Sequence, residues 1–171
     1  MKLNVGCGLD VREGWVNVDV VAPAELPGSF ALADARDLGA WFGHCELVLL
    51  NHVLHLFDYD DADRVLAQCA KCLEPGGELV IVDADVLGVL VDDYPLGPTV
   101  AEGLISTGVE PTAEGRVLRW VTWHGTRRSL WSYQSLAPRL EALGLWSELG
   151  DDEWADPRQA ESFVVVGHKS S

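Results

Sequence analysis

The sequence predicts an α/β fold: a mostly parallel, seven-stranded sheet whose last strand is antiparallel, with helices on both faces. Three observations carry this. Short apolar strands alternate with helical stretches along much of the chain. The run Leu47-Val48-Leu49-Leu50 is continuously apolar, as in a central parallel strand buried on both faces. The acidic segment 150–161 shows too little helical apolar periodicity for a packed crossover, so the last two strands should pair antiparallel.

Each element has a local reason. Strand one spans 2–6 and enters the tight pair Gly6-Cys7-Gly8. Strand two spans 15–20, alternates Trp15-Val16-Asn17-Val18, and carries Asp19 near its end. Strands three and four are expected at 30–33 and 46–51. A helix over 60–73 follows, with Val65, Leu66, Cys69, Cys72 and Leu73 at helical spacing on one face. The run Leu73-Glu74-Pro75-Gly76-Gly77 should stop it, since glycine caps and proline forbids continuation. Strand five is expected at 78–83. A helix over 133–143 has Ser132 or Ser135 as its N-cap. The later cap is favoured because Pro138 is tolerated only in a first turn. Leu136, Leu140 and Leu143 form its buried stripe. Strands six and seven are expected at 145–149 and 163–168.

The 171 residues suit a single domain over 1–171, and 48% hydrophobic content supplies a core. The stretch 85–131, rich in Gly, Pro and Thr, reads as loops with one short helix near 99–106. Loops of that length are often lids, so this is a candidate substrate cap. Lys plus Arg number 12 against 27 Asp plus Glu, a net charge of −15. Such a surface repels a phosphate backbone, so no nucleic-acid partner is expected. Arg116, Arg119, Arg127 and Arg128 form one local basic patch, read as a solvated rim. The N-terminal MKLNVGCG has no signal-peptide core and no run approaches a membrane span, so a cytoplasmic location without membrane partners is expected. The four cysteines are then free thiols. Cys69 and Cys72 form a lone C-x-x-C without a second pair, so they read as core, and no metal site is expected.

The segment from Lys2 to Asp19 carries the chemistry. Strand, glycine turn, strand and acid together suit a nucleoside-type ligand: glycines allow close backbone approach, and a terminal acid accepts from two ribose hydroxyls. The dinucleotide fingerprint fits poorly. Its third glycine position is Val11, and Asp19 follows Gly8 by 11 residues rather than about 20. Asp10 and Glu13 in the turn would repel phosphates. An NAD-dependent oxidoreductase is therefore disfavoured, and a phosphate-free ligand such as S-adenosylmethionine is favoured.

With the pieces 3–8, 14–19, Ala33-Asp34-Ala35-Arg36-Asp37-Leu38, Asn51-His52-Val53-Leu54 and 73–79 in this order, the chain resembles class I S-adenosylmethionine-dependent methyltransferases. More narrowly, it resembles the small bacterial type-11-like group, which shares the shortened link between strands one and two. The resemblance implies a Rossmann-like class I methyltransferase fold and S-adenosylmethionine as cofactor. It implies that Gly6, Cys7 and Gly8 pass beneath the methionine part, with Cys7 a small filler. Asp19, with Val20 beside it, would hold the ribose. Asp34 would accept from the adenine amino group, and Ala35 would supply a backbone N–H. Asp34 has a second reading, as the cap of a short helix over 35–42. Asn51, at the carboxyl end of strand four, would meet the amino-acid moiety.

The family pattern H-V-L-E-H stands here as His52-Val53-Leu54-His55-Leu56, so its roles do not carry over. His52, His55 and His124 are the candidates for a general base. His52 equally reads as packing. Trp120, Trp123, Trp131 and Tyr133 line an apolar acceptor pocket or fill the core under the long loop. The expected activity is methyl transfer to a small-molecule acceptor through O, N or C. The alternative is a cofactor-binding module or partner subunit without turnover. The oligomeric state is not legible.

Overall fold

A computed structural model describes residues 1–22, 29–84, 129–151, 154 and 162–171. Seven strands form one sheet: β1 (Lys2–Val5), β2 (Val16–Asp19), β3 (Phe30–Leu32), β4 (Cys45–Asn51), β5 (Leu73–Ala84), β6 (Leu145–Leu149) and β7 (Ser162–Lys169). Their order is β3-β2-β1-β4-β5-β7-β6. The pairs from β3 to β5 are all parallel, whereas β7 runs antiparallel to both β5 and β6. The expected antiparallel last strand is therefore present, inserted between β5 and β6.

Helix α1 (Tyr59–Cys72) starts at Asp58, whose side chain accepts from the Asp61 N–H. It buries Ala62, Val65, Leu66, Cys69, Ala70 and Cys72. Helix α2 (Tyr133–Ala142) starts at Ser132, in a reciprocal capping box with Ser135. The earlier cap wins over the expected later one, because each serine satisfies the other's backbone N–H. Pro138 thus sits in the second turn, inside the helix. Leu136 and Leu140 are fully buried, but Leu143 becomes the C-cap and stands 37% exposed. Both helices contribute to the main core, together with Leu3, Val18, Val48, Leu50, Leu79, Ile81 and Trp131. They therefore cover one face of the sheet. On the opposite face, Leu47, Leu49, Val80, Val82 and Val164 pack with Trp15 and Trp154. The short helix expected near 99–106, and the candidate cap up to residue 128, lie outside the described residues.

The end of α1 differs from expectation. Leu73 is already extended (φ −65°, ψ 132°), and β5 begins there, so Gly76 and Gly77 lie within the strand and cap nothing. The last helical carbonyls are met from a distance. Gly43 N–H donates to Lys71 O at 2.9 Å and His44 N–H to Cys72 O at 3.0 Å. Lys169 Nζ, from β7, donates to Leu73 O at 2.6 Å and Ala70 O at 3.3 Å. Gly77 answers a different need. A Cβ there would stand 2.8 Å from Cys45 O and 3.0 Å from Glu74 O, where the β4–β5 register shifts.

Gly77→Ala should therefore destabilise the fold by about 1–3 kcal/mol, the usual range for overpacking. Equilibrium urea denaturation, read as a lower midpoint at unchanged slope, checks this.

Candidate active site

The glycine turn opens at the carboxyl end of β1. Gly6 takes φ 67° and Gly8 takes φ 49°. A Cβ on Gly6 would stand 2.7 Å from Val53 Cγ2, so this glycine is required by both its backbone and its neighbour. A Cβ on Gly8 would meet nothing within 4 Å, so Gly8 faces open space.

Two buried asparagines, each 1% exposed, hold the turn from beneath. Asn4 Nδ2 donates to Asp10 O at 2.6 Å and to Asn17 Oδ1 at 3.1 Å. Asn17 Oδ1 also accepts from Arg12 N–H at 2.9 Å, while Asn17 Nδ2 donates to Arg12 O at 2.9 Å. These two amides position the turn, and sequence reasoning missed them. The signal was present: a polar side chain inside an otherwise apolar strand needs a partner if it is buried.

Asp19 ends β2 beside this turn. Its Oδ2 accepts from Gly8 N–H at 2.8 Å and its Oδ1 from Val21 N–H at 3.0 Å. Each oxygen keeps a further lone pair. Val20 is 62% exposed next to it. Cys7 is buried in the turn. Burial, reinforced by the Asp19 and Asp10 carboxylates, pushes its thiol above the ordinary value, which suits a filler rather than a nucleophile. Asp10 pairs with Arg12 at 2.9 Å and accepts from Asn51 Nδ2 at 3.1 Å. Asn51 Oδ1 is buried without a hydrogen-bond partner among the described residues.

Asp34 lies just beyond β3. It caps no α-helix: the only helical turn nearby is a 3-10 turn at Gly39–Trp41 without a side-chain cap. Instead Asp34 Oδ1 accepts from the Arg36 N–H at 2.8 Å and from Arg36 Nε at 2.9 Å, and Oδ2 accepts from Arg36 Nη2 at 2.7 Å. Arg36 Nη1 donates on to Asp61 at 2.7 Å. Hydrogen bonding from Arg36 holds the Asp34 carboxyl down at about 2. Three of its four lone pairs are used, leaving one on Oδ2. Ala35 is buried against the main core.

At the carboxyl ends of β4 and β5 a second cluster forms. His52 has φ 55°, the one non-glycine residue in the left-handed region among those described. Its N–H donates to Val82 O at 2.7 Å, and its Nε2 lies 3.0 Å from Ser162 Oγ. His55 Nδ1 lies 2.7 Å from Asp83 Oδ1, and His55 N–H donates to Asp83 Oδ2 at 3.2 Å. Asp83 is 1% exposed and His55 13%. The two imidazoles meet edge to face, 6.1 Å between centroids. Sequence reasoning put His52 and His55 forward but not Asp83, which is 28 residues from His55 in the chain. His124, Trp120, Trp123 and the arginines 116, 119, 127 and 128 lie outside the described residues. Trp131 fills the main core, its Nε1 donating to Ser129 Oγ at 2.8 Å, and Tyr133 donates from its hydroxyl to Ser147 O at 3.0 Å.

Comparison with known proteins bears on the fold and on the first half of the chain. Residues 3–81, just under half of the chain, match a family model described as a methyltransferase domain. No curated protein matches the chain. Among solved structures, a 1,6-didemethyltoxoflavin-N1-methyltransferase of Burkholderia thailandensis, with 1,6-didemethyltoxoflavin and S-adenosylhomocysteine bound, is similar in fold. It matches with TM-score 0.62 and 18% identity over 99% of this chain and 71% of that one. A SAM-dependent methyltransferase from Archaeoglobus fulgidus matches with TM-score 0.62 and 13% identity, over 98% and 85% of the two chains. An O-methyltransferase family protein of Burkholderia thailandensis matches with TM-score 0.50 and 20% identity over 83% of this chain. The chain spans only 36% of that protein's length. Among the described residues, no helix is long and apolar enough to cross a membrane.

Removing the Arg36 guanidinium should release Asp34. In Arg36→Ala, the Asp34 carboxyl should titrate near the ordinary value of about 3.9 instead of about 2. Because the folded value is depressed, the pair's contribution is present above the ordinary carboxylate value and lost as pH falls toward 2. Carboxyl-detected NMR titration of both proteins reads the difference directly.

Proposed function

We propose that this chain is a class I S-adenosylmethionine-dependent methyltransferase that transfers a methyl group to a small-molecule acceptor through an O, N or C nucleophile; the methyltransferase-domain match over 3–81 and the fold support the reading. The observation that carries the reading is Asp19, fixed beside an open Gly8 by their 2.8 Å hydrogen bond, with lone pairs to spare. A ribose offers two hydroxyl donors to such a carboxylate.

The residues around the crevice fit the remaining parts of the cofactor. Asn51 Oδ1, buried and without a partner among the described residues, suits a donor such as the amino group of the methionine part. Asp10, already bonded to Arg12 and Asn51, places a carboxylate where a pyrophosphate would be repelled. The remaining lone pair on Asp34 Oδ2 suits the adenine amino group, with Ala35 adjacent. Leu9, Val20 and Leu32, at or just beyond the carboxyl ends of β1, β2 and β3, expose apolar surface of 96%, 62% and 69%. That surface suits an adenosine better than bulk water does. Gly6 and Cys7 complete the turn. When bound, S-adenosylmethionine supplies a methyl group already activated by its sulfonium. The chain has only to bind, orient and exclude water.

A small acceptor is supported by two features. The net charge of −15 disfavours a nucleic acid. One neighbour in fold is named for methylating 1,6-didemethyltoxoflavin, a small molecule. In this reading, turnover distinguishes an enzyme from a binding module. Transfer of labelled methyl groups to members of a panel of small phenols, amines and heterocycles supports it; cofactor binding with no product on any of them counts against it.

Asp19→Ala should weaken S-adenosylhomocysteine binding by at least tenfold while circular dichroism stays that of a folded protein. Isothermal titration with unchanged affinity would sink the ribose assignment.

A further inference from the structure

We propose that His52, His55 and Asp83 form a binding site for a first-row divalent cation of the Zn2+ type, at the carboxyl ends of β4 and β5. Among the described residues this is the one group of ligand-bearing side chains that converges. Each offers one ligand atom, and these atoms lie within 4.8 Å of one another. A tetrahedral or octahedral ion needs its neighbouring ligands about 3–3.5 Å apart, given bond lengths of about 2.0–2.2 Å. Modest side-chain rotation closes that gap. The His55 Nδ1–Asp83 Oδ1 pair is already at 2.7 Å. The hydrogen bond between them joins the same two electron-rich atoms that an ion would join.

The donor set selects the class of ion. Two imidazoles and one carboxylate suit Zn2+, Fe2+ or Mn2+, whereas Mg2+ and Ca2+ prefer oxygen ligands throughout. Among the described residues three protein ligands converge, a number that leaves coordination positions open, as in catalytic rather than structural sites. The site is prepared by its surroundings. Asp83 is 1% exposed and also accepts from the Ala84 N–H at 2.7 Å, which fixes its carboxylate plane. His52 is held in its left-handed backbone by the bond to Val82 O. Ion binding exchanges the present side-chain contacts of His52, including that to Ser162 Oγ, for a metal bond.

The use of the ion rests on the methyl-transfer reading; its binding does not. A Lewis acid at this end of the crevice lowers the pKa of an acceptor hydroxyl, whose proton leaves to solvent. That points to oxygen acceptors, such as phenols or enols, among the O, N and C possibilities.

The test titrates the full chain, stripped with a chelator, with Co2+. One equivalent should bind at micromolar concentration with visible ligand-field bands. His55→Ala and Asp83→Asn should each weaken binding at least tenfold, and His44→Ala, on the exposed surface, should leave it unchanged. His55→Gln covers the case in which Asp83→Asn does not fold. A folded wild-type chain without a saturable Co2+ band overturns the proposal, as does binding that survives His55→Ala and His55→Gln. Titration with S-adenosylhomocysteine runs in parallel. Loss of that binding with Co2+ binding retained strikes the cofactor reading and leaves the metal site standing.

Discussion

The buried amide pair Asn4–Asn17 fixes where the rest of the crevice can be. An amide side chain in an apolar sheet costs free energy unless each polar atom has a partner. Asn17 meets that cost by taking both the N–H and the C=O of Arg12; Asn4 Nδ2 takes Asp10 O and Asn17 Oδ1, while Asn4 Oδ1 is left without a partner among the described residues. The chain between Asp10 and Trp15 is thereby laced to β1 and β2 without a helix. Gly8 and Asp19 then come together across 11 residues. The shortened link is tied to the sheet, so the acid that ends β2 stands at a defined height above the glycine turn.

The crevice is rich in acids, and each has its partners. Asp10 is paired with Arg12, Asp34 with Arg36, and Asp19 with backbone N–H groups. These are partly exposed contacts, so they add little stability individually. Their effect is on direction. Arg36 bridges Asp34 to Asp61 of α1, and so couples the loop after β3 to the helix after β4. A carboxylate whose other lone pairs are used presents the last one in a single orientation.

The sheet's one antiparallel strand matters for the opposite end of the site. Pairing of Ser162 with Ala84 and Val164 with Val82 brings the start of β7 beside the end of β5. That places Ser162 against His52, 110 residues away. Asp83 meets His55 because β4 and β5 are in register, with Asn51 opposite Val82. A cluster of two imidazoles and a buried carboxylate is therefore a product of strand register, built where neither strand alone holds it.

Much was legible locally. Strand, glycine turn, strand and acid follow each other within Lys2 to Asp19, and the apolar run of β4 and the stripe of α1 are periodic signals that adjacent residues carry themselves. The order of those signals was enough for the fold class. The misreadings share one cause. The α1 terminus looked like a glycine cap, yet Lys169, Gly43 and His44 supply its partners. Ser135 looked like the cheaper cap around Pro138, yet the reciprocal bonds with Ser132 outweigh that cost. Asp34 looked like the cap of a helix over 35–42, yet no such helix follows and Arg36 takes its carboxylate instead. Asp83 is legible as the end of strand five, while only folding sets it against His55. Local sequence determines which groups need partners; tertiary structure decides which partners they get, because those contacts form between residues that the sheet, not the chain, makes neighbours.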